Sequence, residues 1–326
     1  MACTIITTEE QLKEYVGNLR EKGASRVALD MEGDQGMFHY HYAVSILQCF
    51  DGEEGVIIDV IKMGRNGNDT LREFLTCQDI IKVMFSCGND VFMAQNVLGC
   101  TISPINDISI AQKLLEMPIN LTSYLNIDKD QKDSFQRANW LLRPIKPELL
   151  EYAINDVLKL LEIEDNLSAQ LTEKELYGQY IEQSRAASSK TYIVNPHLLF
   201  QTKFPGYGRL PFDKKKLAAG LWIFRELLGE RLDCPVGYLL PKKILASILS
   251  SNNEIVSAIE SAINSGRKPR KRMNAALIRE LFDRAMQSPH IPLKPPKRTA
   301  LKRREGNRRG DKTQNEQHKK QQEPPK

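Results

Sequence analysis

VALDMEG, residues 27–33, is a short apolar run that ends in two carboxylates, Asp30 and Glu32. In a strand, residues i and i+2 project to the same face, so both acids stand on one side of a sheet. Two like charges roughly 6–7 Å apart along the backbone repel each other unless solvent or a cation lies between them, and hard carboxylate oxygens favour Mg²⁺ or Mn²⁺. Taken alone, the pair also fits a merely solvated strand end. The flanking sequence separates these readings.

Upstream, TEEQLKEYVGNLREK predicts a helix over 8–22, capped by Thr8, with Leu12, Tyr15, Val16 and Leu19 at helical spacing and Gly23 as its stop. The opening strand is expected at 26–31. Downstream, 43–50 and 55–60 read as a hairpin around Asp51 and Gly52, 69–77 as a helix, and IIKVMFS, 80–86, as a strand buried on both faces. This order predicts an α/β fold, a mixed sheet flanked by helices, whose ligands collect at strand carboxyl ends. Asp90 lies just past one such end, where it also fits a helix cap. PELLEYAINDVLKLLEIEDNL, 147–167, predicts one helix with Leu149, Leu150, Ala153, Val157, Leu160 and Leu161 on its apolar face. Tyr152 and Asp156 sit one turn apart on one side of it. Singly, they read as half-buried core and a surface acid.

Together these words resemble the three motifs of the DEDDy 3′–5′ exonucleases, the ribonuclease D and exosome-associated branch of the ribonuclease H-like superfamily. They are D-x-E at Asp30 and Glu32, K-V-x5-N-D ending at Asp90, and Y-x3-D at Tyr152 and Asp156. NDISIAQKLL (106–115) and FQRANWLLRPIKPELLEYAINDV (135–157) match as well, so the likeness runs from about residue 4 to 168. The resemblance implies catalytic roles for Asp30, Glu32, Asp90, Tyr152 and Asp156. It also implies two divalent metal ions, Mg²⁺ or Mn²⁺, about 3.5–4 Å apart. Asp30 would bridge both ions, Glu32 and Asp156 would complete the first site, Asp90 would hold the second, and Tyr152 would orient or help deprotonate the attacking water. Two positions depart from the pattern: Phe85 replaces a common histidine, and Gly33 replaces the usual hydrophobic residue. Neither supplies a metal oxygen, so substrate handling is what they touch.

At 326 residues the chain has room for two domains, and with 41% hydrophobic and 27% charged residues it can bury a sizeable core. Six cysteines without CxxC spacing argue against a zinc site or a disulfide framework. The amino terminus has no signal-peptide pattern, and no apolar run is long enough to span a membrane, so a cytoplasmic protein is expected, or a nuclear one in a eukaryote. Of the net +5 charge, +8 resides in the segment from residue 293 onward, with twelve Lys+Arg against four Asp+Glu; the rest carries −3. That tail, lacking aromatics and periodicity, reads as disordered and phosphate-attracting.

The expected organisation is a nuclease domain at 1–168, a helical linker at 169–210, a small all-α domain at 211–289 and a disordered basic tail at 290–326. The W-x-x-R word (Trp222, Arg225) and the Y-L-L-P word (238–241) resemble the HRDC domain, and SGRKPRKR, 265–272, reads as a basic loop. Leu217, Leu221, Phe224, Leu227 and Leu228 predict an amphipathic helix, and Pro241 the start of the next. His39, Tyr40, His41 and Tyr42 follow the acids closely. Their H-x-H pair reads as a polar strand edge, a transition-metal pair, or a contact to terminal nucleotides.

The resemblance implies an exoribonuclease releasing nucleoside 5′-monophosphates from RNA with a free 3′ end, tRNA or other stable RNA precursors. The acids alone imply only metal-assisted phosphodiester hydrolysis. A 3′–5′ DNA exonuclease and a non-catalytic RNA-binding scaffold of the same fold remain as alternatives.

Overall fold

The computed structural model describes residues 3–64, 67–125, 129–192, 194–251, 254–264 and 274–292. The basic loop at 265–272 and the tail from 293 lie outside the described residues. So does most of the expected 290–326 tail segment.

The chain opens with β1 (Thr4–Ile6) and α1 (Glu9–Glu21). Thr8 caps α1 in a reciprocal capping box with Gln11, and its apolar face, Leu12, Tyr15, Val16 and Leu19, is buried. Then follow β2 (Arg26–Asp34), β3 (Ala43–Phe50), β4 (Gly55–Asp59), α2 (Val60–Met63), α3 (Asp69–Thr76), β5 (Ile81–Met84), α4 (Gly88–Met93) and β6 (Ile105–Asp107). The six strands order as β1-β4-β3-β2-β5-β6. The β2–β3 and β3–β4 pairs are antiparallel, and the other three are parallel. The expected first strand is therefore the second. The three residues of β1 are too few to carry a periodicity, and pairing with β4 alone makes them a strand.

Alternation along β2 separates two cores. Val27 and Leu29 pack with α1 and α3, whereas Ala28 joins the cluster on the opposite face that contains Tyr152, Ala153 and Val157. Asp30 and Glu32 follow Ala28 in the same alternation and so point to that second face. There α5 (Ile108–Leu114), α6 (Thr122–Leu125) and α7 (Lys129–Gln136) lead into α8 (Pro147–Leu158) and α9 (Leu160–Glu173). The sequence predicts one helix over 147–167, but the chain tightens at Lys159 (φ −100°, ψ −10°) and divides it. The break lets α8 lie along β2, β3 and β4 while α9 passes over β5 and α5.

α10 (Tyr177–Ser189) packs against β6 and α5 with Tyr180 fully buried, so the connecting stretch begins as part of the sheet's covering layer. After α11 (Phe200–Lys203) comes α12 (Phe212–Leu232), followed by α13 (Val236–Leu239), α14 (Lys242–Ser250), α15 (Ile255–Asn264) and α16 (Ala275–Met286). α12 is not amphipathic as expected. Every residue from Ala218 to Gly229 is buried, because α11, α13, α14 and α16 surround it. At Gly220 the Met286 sulfur comes close enough that a methyl group there would require this flexible side chain to shift. No helix of the described residues is long and apolar enough to cross a membrane.

Candidate active site

β2 delivers Asp30 opposite Gln48 and Glu32 opposite Ile46, and its register with β3 then shifts between Glu32 and Gly33. Such a bulge re-aims the strand. It brings residue 33 against the neighbouring backbone, where any Cβ would land on the Ala43 carbonyl oxygen. Glycine at 33, the departure from the family pattern, is thus a requirement of close approach.

α8 supplies the second half of the site. Pro147 occupies its first turn, and Tyr152 and Asp156 are both buried on the side facing the sheet. The segment leading into α8 is fixed by Arg143, which forks onto Asp59 (Nε to Oδ2 2.9 Å, Nη2 to Oδ1 2.8 Å) and donates to the Trp140 carbonyl at 2.8 Å. Trp140 and Phe135 pack around the Tyr152 ring, with centroids 6.3 and 4.9 Å away. In consequence, carboxylate oxygens of Asp30, Glu32 and Asp156 lie within 4.8 Å of one another, although Asp156 is more than 120 residues from the pair in sequence.

Asp90 stands in the first turn of α4 and lines the same cleft, of about 690 Å³, together with Tyr152. It does not join the three-oxygen group found among the described residues. Burial, and after it the charge of Asp30, holds the Asp90 carboxyl well above the ordinary carboxylate range. The Tyr152 phenol is likewise pushed upward, first by burial and then by Asp156, Glu32 and Asp30. A half-dry pocket in which Asp90 resists ionisation beside a further carboxylate group is an electrostatic deficit that divalent cations offset, and an all-oxygen donor set suits Mg²⁺ or Mn²⁺.

Several supporting residues escaped the sequence reading. Asp107 caps α5 and accepts the Ser86 and Cys87 amides (2.8 and 3.1 Å), which sets the turn that presents Asp90; its signal was the D-x-S cap in NDIS. Asp34, 2% exposed, gathers the amides of Met37, Phe38 and His39. Gln48, wholly buried opposite Asp30, was visible as a polar residue in an apolar run, and its amide has no partner among the described residues. Residues 39–42 do not form the expected strand edge. The chain from Gln35 to His41 is irregular, and His39 turns to Asp233 of the helical region instead of toward a metal.

A mixed sheet with one crossing helix that gathers acids from distant segments into one cleft defines the class, an α/β fold of ribonuclease H-like type. A family model described as 3′-5′ exonuclease matches residues 3–172, a little over half of the chain, and the chain belongs to that family. Its chemistry is divalent-metal dependent, in keeping with the acidic cluster.

The chain is 26% identical over 272 residues to ribonuclease D of Xanthomonas oryzae, covering 80% of this chain and 73% of that protein. It is 23% identical over 303 residues to the exosome complex exonuclease RRP6 of Saccharomyces cerevisiae, covering 87% of this chain but only 40% of that protein's length. Among solved structures, Escherichia coli RNase D, described as an exoribonuclease involved in structured RNA processing, superposes with a TM-score of 0.71 at 21% identity. The superposition covers 89% of this chain and 76% of that one. At that identity it establishes the fold, and its extent takes in helices beyond residue 172.

Proposed function

We propose that this protein is a divalent-metal-dependent 3′–5′ exoribonuclease that removes nucleoside 5′-monophosphates from the 3′ ends of structured RNA, such as tRNA or other stable RNA precursors. The observation that carries the proposal is the convergence of Asp30, Glu32 and Asp156 beside Tyr152 in a chain of the 3′-5′ exonuclease family. RNA is favoured over DNA because the relatives that align along most of the chain are named as ribonuclease D and an exosome exonuclease.

Asp30, Glu32 and Asp156 would hold one divalent cation, and Asp90 with Asp30 a second. Bound cations supply the positive charge that offsets the phosphate, the attacking oxygen and the departing 3′ oxygen. The chain's own groups do the rest. Tyr152, whose phenol keeps its proton well above neutral pH, serves to orient the attacking water. Met37, Phe38 and Phe85 line the cleft beside the acids and offer apolar surface to the terminal base. The helices from 211 to 289 are assigned as an HRDC module that extends the RNA-binding surface, supported by the Trp222–Arg225 word and by the length of the superposition.

A 5′-labelled single-stranded RNA and its DNA counterpart, incubated with Mg²⁺ or Mn²⁺, test the proposal. A ladder shortening from the 3′ end on RNA, lost in chelator and with Asp156→Asn, is the expected outcome. A DNA-only ladder would reassign the substrate, and RNA that is bound but never shortened would mean a scaffold.

A further inference from the structure

Residues 35–42 join β2 to β3 and face two ways. Gln35, Gly36, Met37 and Phe38 line the catalytic cleft, while His39 to Tyr42 line a second groove bounded by Glu226 and Val236 of the helical region. Asp34 ties Met37, Phe38 and His39 into one turn, at 2.7, 3.2 and 2.8 Å from their amides, so displacement of His39 drags the cleft-lining pair with it.

The far side of this turn is held by α12. Asp233, its C-cap in the left-handed conformation (φ 44°, ψ 55°), accepts from His39 Nδ1 at 2.8 Å and from the Tyr40 amide at 3.1 Å. A carboxylate only accepts here, so Nδ1 carries the proton. One turn back, Gly229 admits the Tyr40 ring; a Cβ there would stand 2.7 Å from it. A further turn back, Glu226 lines the same groove as Tyr40, and its charge, after burial, raises the phenol's pKa. Glu226 is 4% exposed and is held by Arg225 Nη2 at 2.9 Å, whose guanidinium stacks 3.8 Å from the Trp222 ring centroid. Positions 226, 229 and 233 form one stripe of α12. A buried ion pair is often no more stabilising than apolar residues of similar volume.

We propose that Glu226, Gly229 and Asp233 of α12 are positioning residues of the nuclease site: through His39 and Tyr40 they fix the 35–42 turn so that Met37 and Phe38 stand over the acids where the 3′-terminal nucleotide is held. This rests on the exonuclease reading above. The helical region then governs substrate engagement without touching a reacting atom. The His39–Asp233 pair is partly exposed (39% and 55%), so its loss is expected to raise KM about threefold to tenfold and no more.

The test uses the full chain with Asp233→Ala, His39→Ala, the double variant and Glu226→Gln. Amide exchange is followed by mass spectrometry, and steady-state kinetics on RNA in parallel. Asp233→Ala is expected to speed exchange at Met37 and Phe38, whose acceptor Asp34 is untouched, and to raise KM while kcat and Mn²⁺ affinity stay as in the wild type. His39→Ala should match it, and the double variant should be no worse than either. Unchanged exchange at Met37 and Phe38 in a folded Asp233→Ala protein would overturn the proposal, as would additive effects on KM. Should the wild type leave RNA intact, the exonuclease reading fails while the exchange arm still decides the turn's dependence on α12. Should Glu226→Gln fail to fold, the exposed His39–Asp233 pair carries the test alone.

Discussion

Asp90 is buried in the first turn of α4, and both its burial and the charge of Asp30 oppose its ionisation. A carboxyl whose folded-state pKa exceeds its unfolded value binds more protons when folded. Its stabilising contribution is therefore complete below the unfolded value and is lost as pH rises through the folded one. In chelator, the wild-type protein is accordingly expected to lose stability to urea as pH climbs out of the carboxylate range, with Asp90→Asn losing less and melting higher at neutral pH. Mg²⁺ should narrow that gap by stabilising the wild type selectively. Urea titrations across pH, with and without Mg²⁺, read this directly; parallel pH profiles for the two proteins in chelator would contradict it. The four acids and the tyrosine that line the cleft were legible in the sequence because each occupies a short word with fixed spacing. Asp34, Asp107 and Gln48 were not, since what they do depends on amides and strands brought to them by the fold.

At the scale of elements, local periodicity sufficed for α1, the β3–β4 hairpin, α3, α14, α15 and α16. It failed where tertiary packing decides the outcome: β1 exists only as a partner of β4, α8 and α9 part at Lys159 to cover different strands, and α12 is enclosed on all sides from Ala218 to Gly229. The β2 bulge belongs with these. Its sequence trace, glycine where a hydrophobic residue is usual, read as a departure touching substrate handling, yet its cause is the Ala43 carbonyl. Gly33→Ala should force the strands apart beside Glu32 and destabilise the protein by about 2 kcal/mol or more, in the range of steric overpacking and strain. Denaturant unfolding measures this. A midpoint equal to wild type would show that the strand pair yields without cost.

For the whole molecule, the decisive arrangement is that β2 and α8, remote in sequence, meet on one face of the sheet, with α4 closing the cleft and α12 reaching back to the turn above it. The charge distribution is in keeping with such a division, since residues 1–292 are mildly acidic and the positive excess lies beyond them. On the proposed function, the Asp30, Glu32 and Asp156 group holds a divalent cation. Mn²⁺ binding to the purified protein, followed by the loss of the free-ion electron paramagnetic resonance signal, tests that assignment without reference to any substrate. The wild type is predicted to take up Mn²⁺ saturably, competed by Mg²⁺, and Asp30→Ala with Asp156→Ala to leave the ion free in a protein that remains folded. Equal Mn²⁺ uptake by the wild type and the double variant would contradict the account.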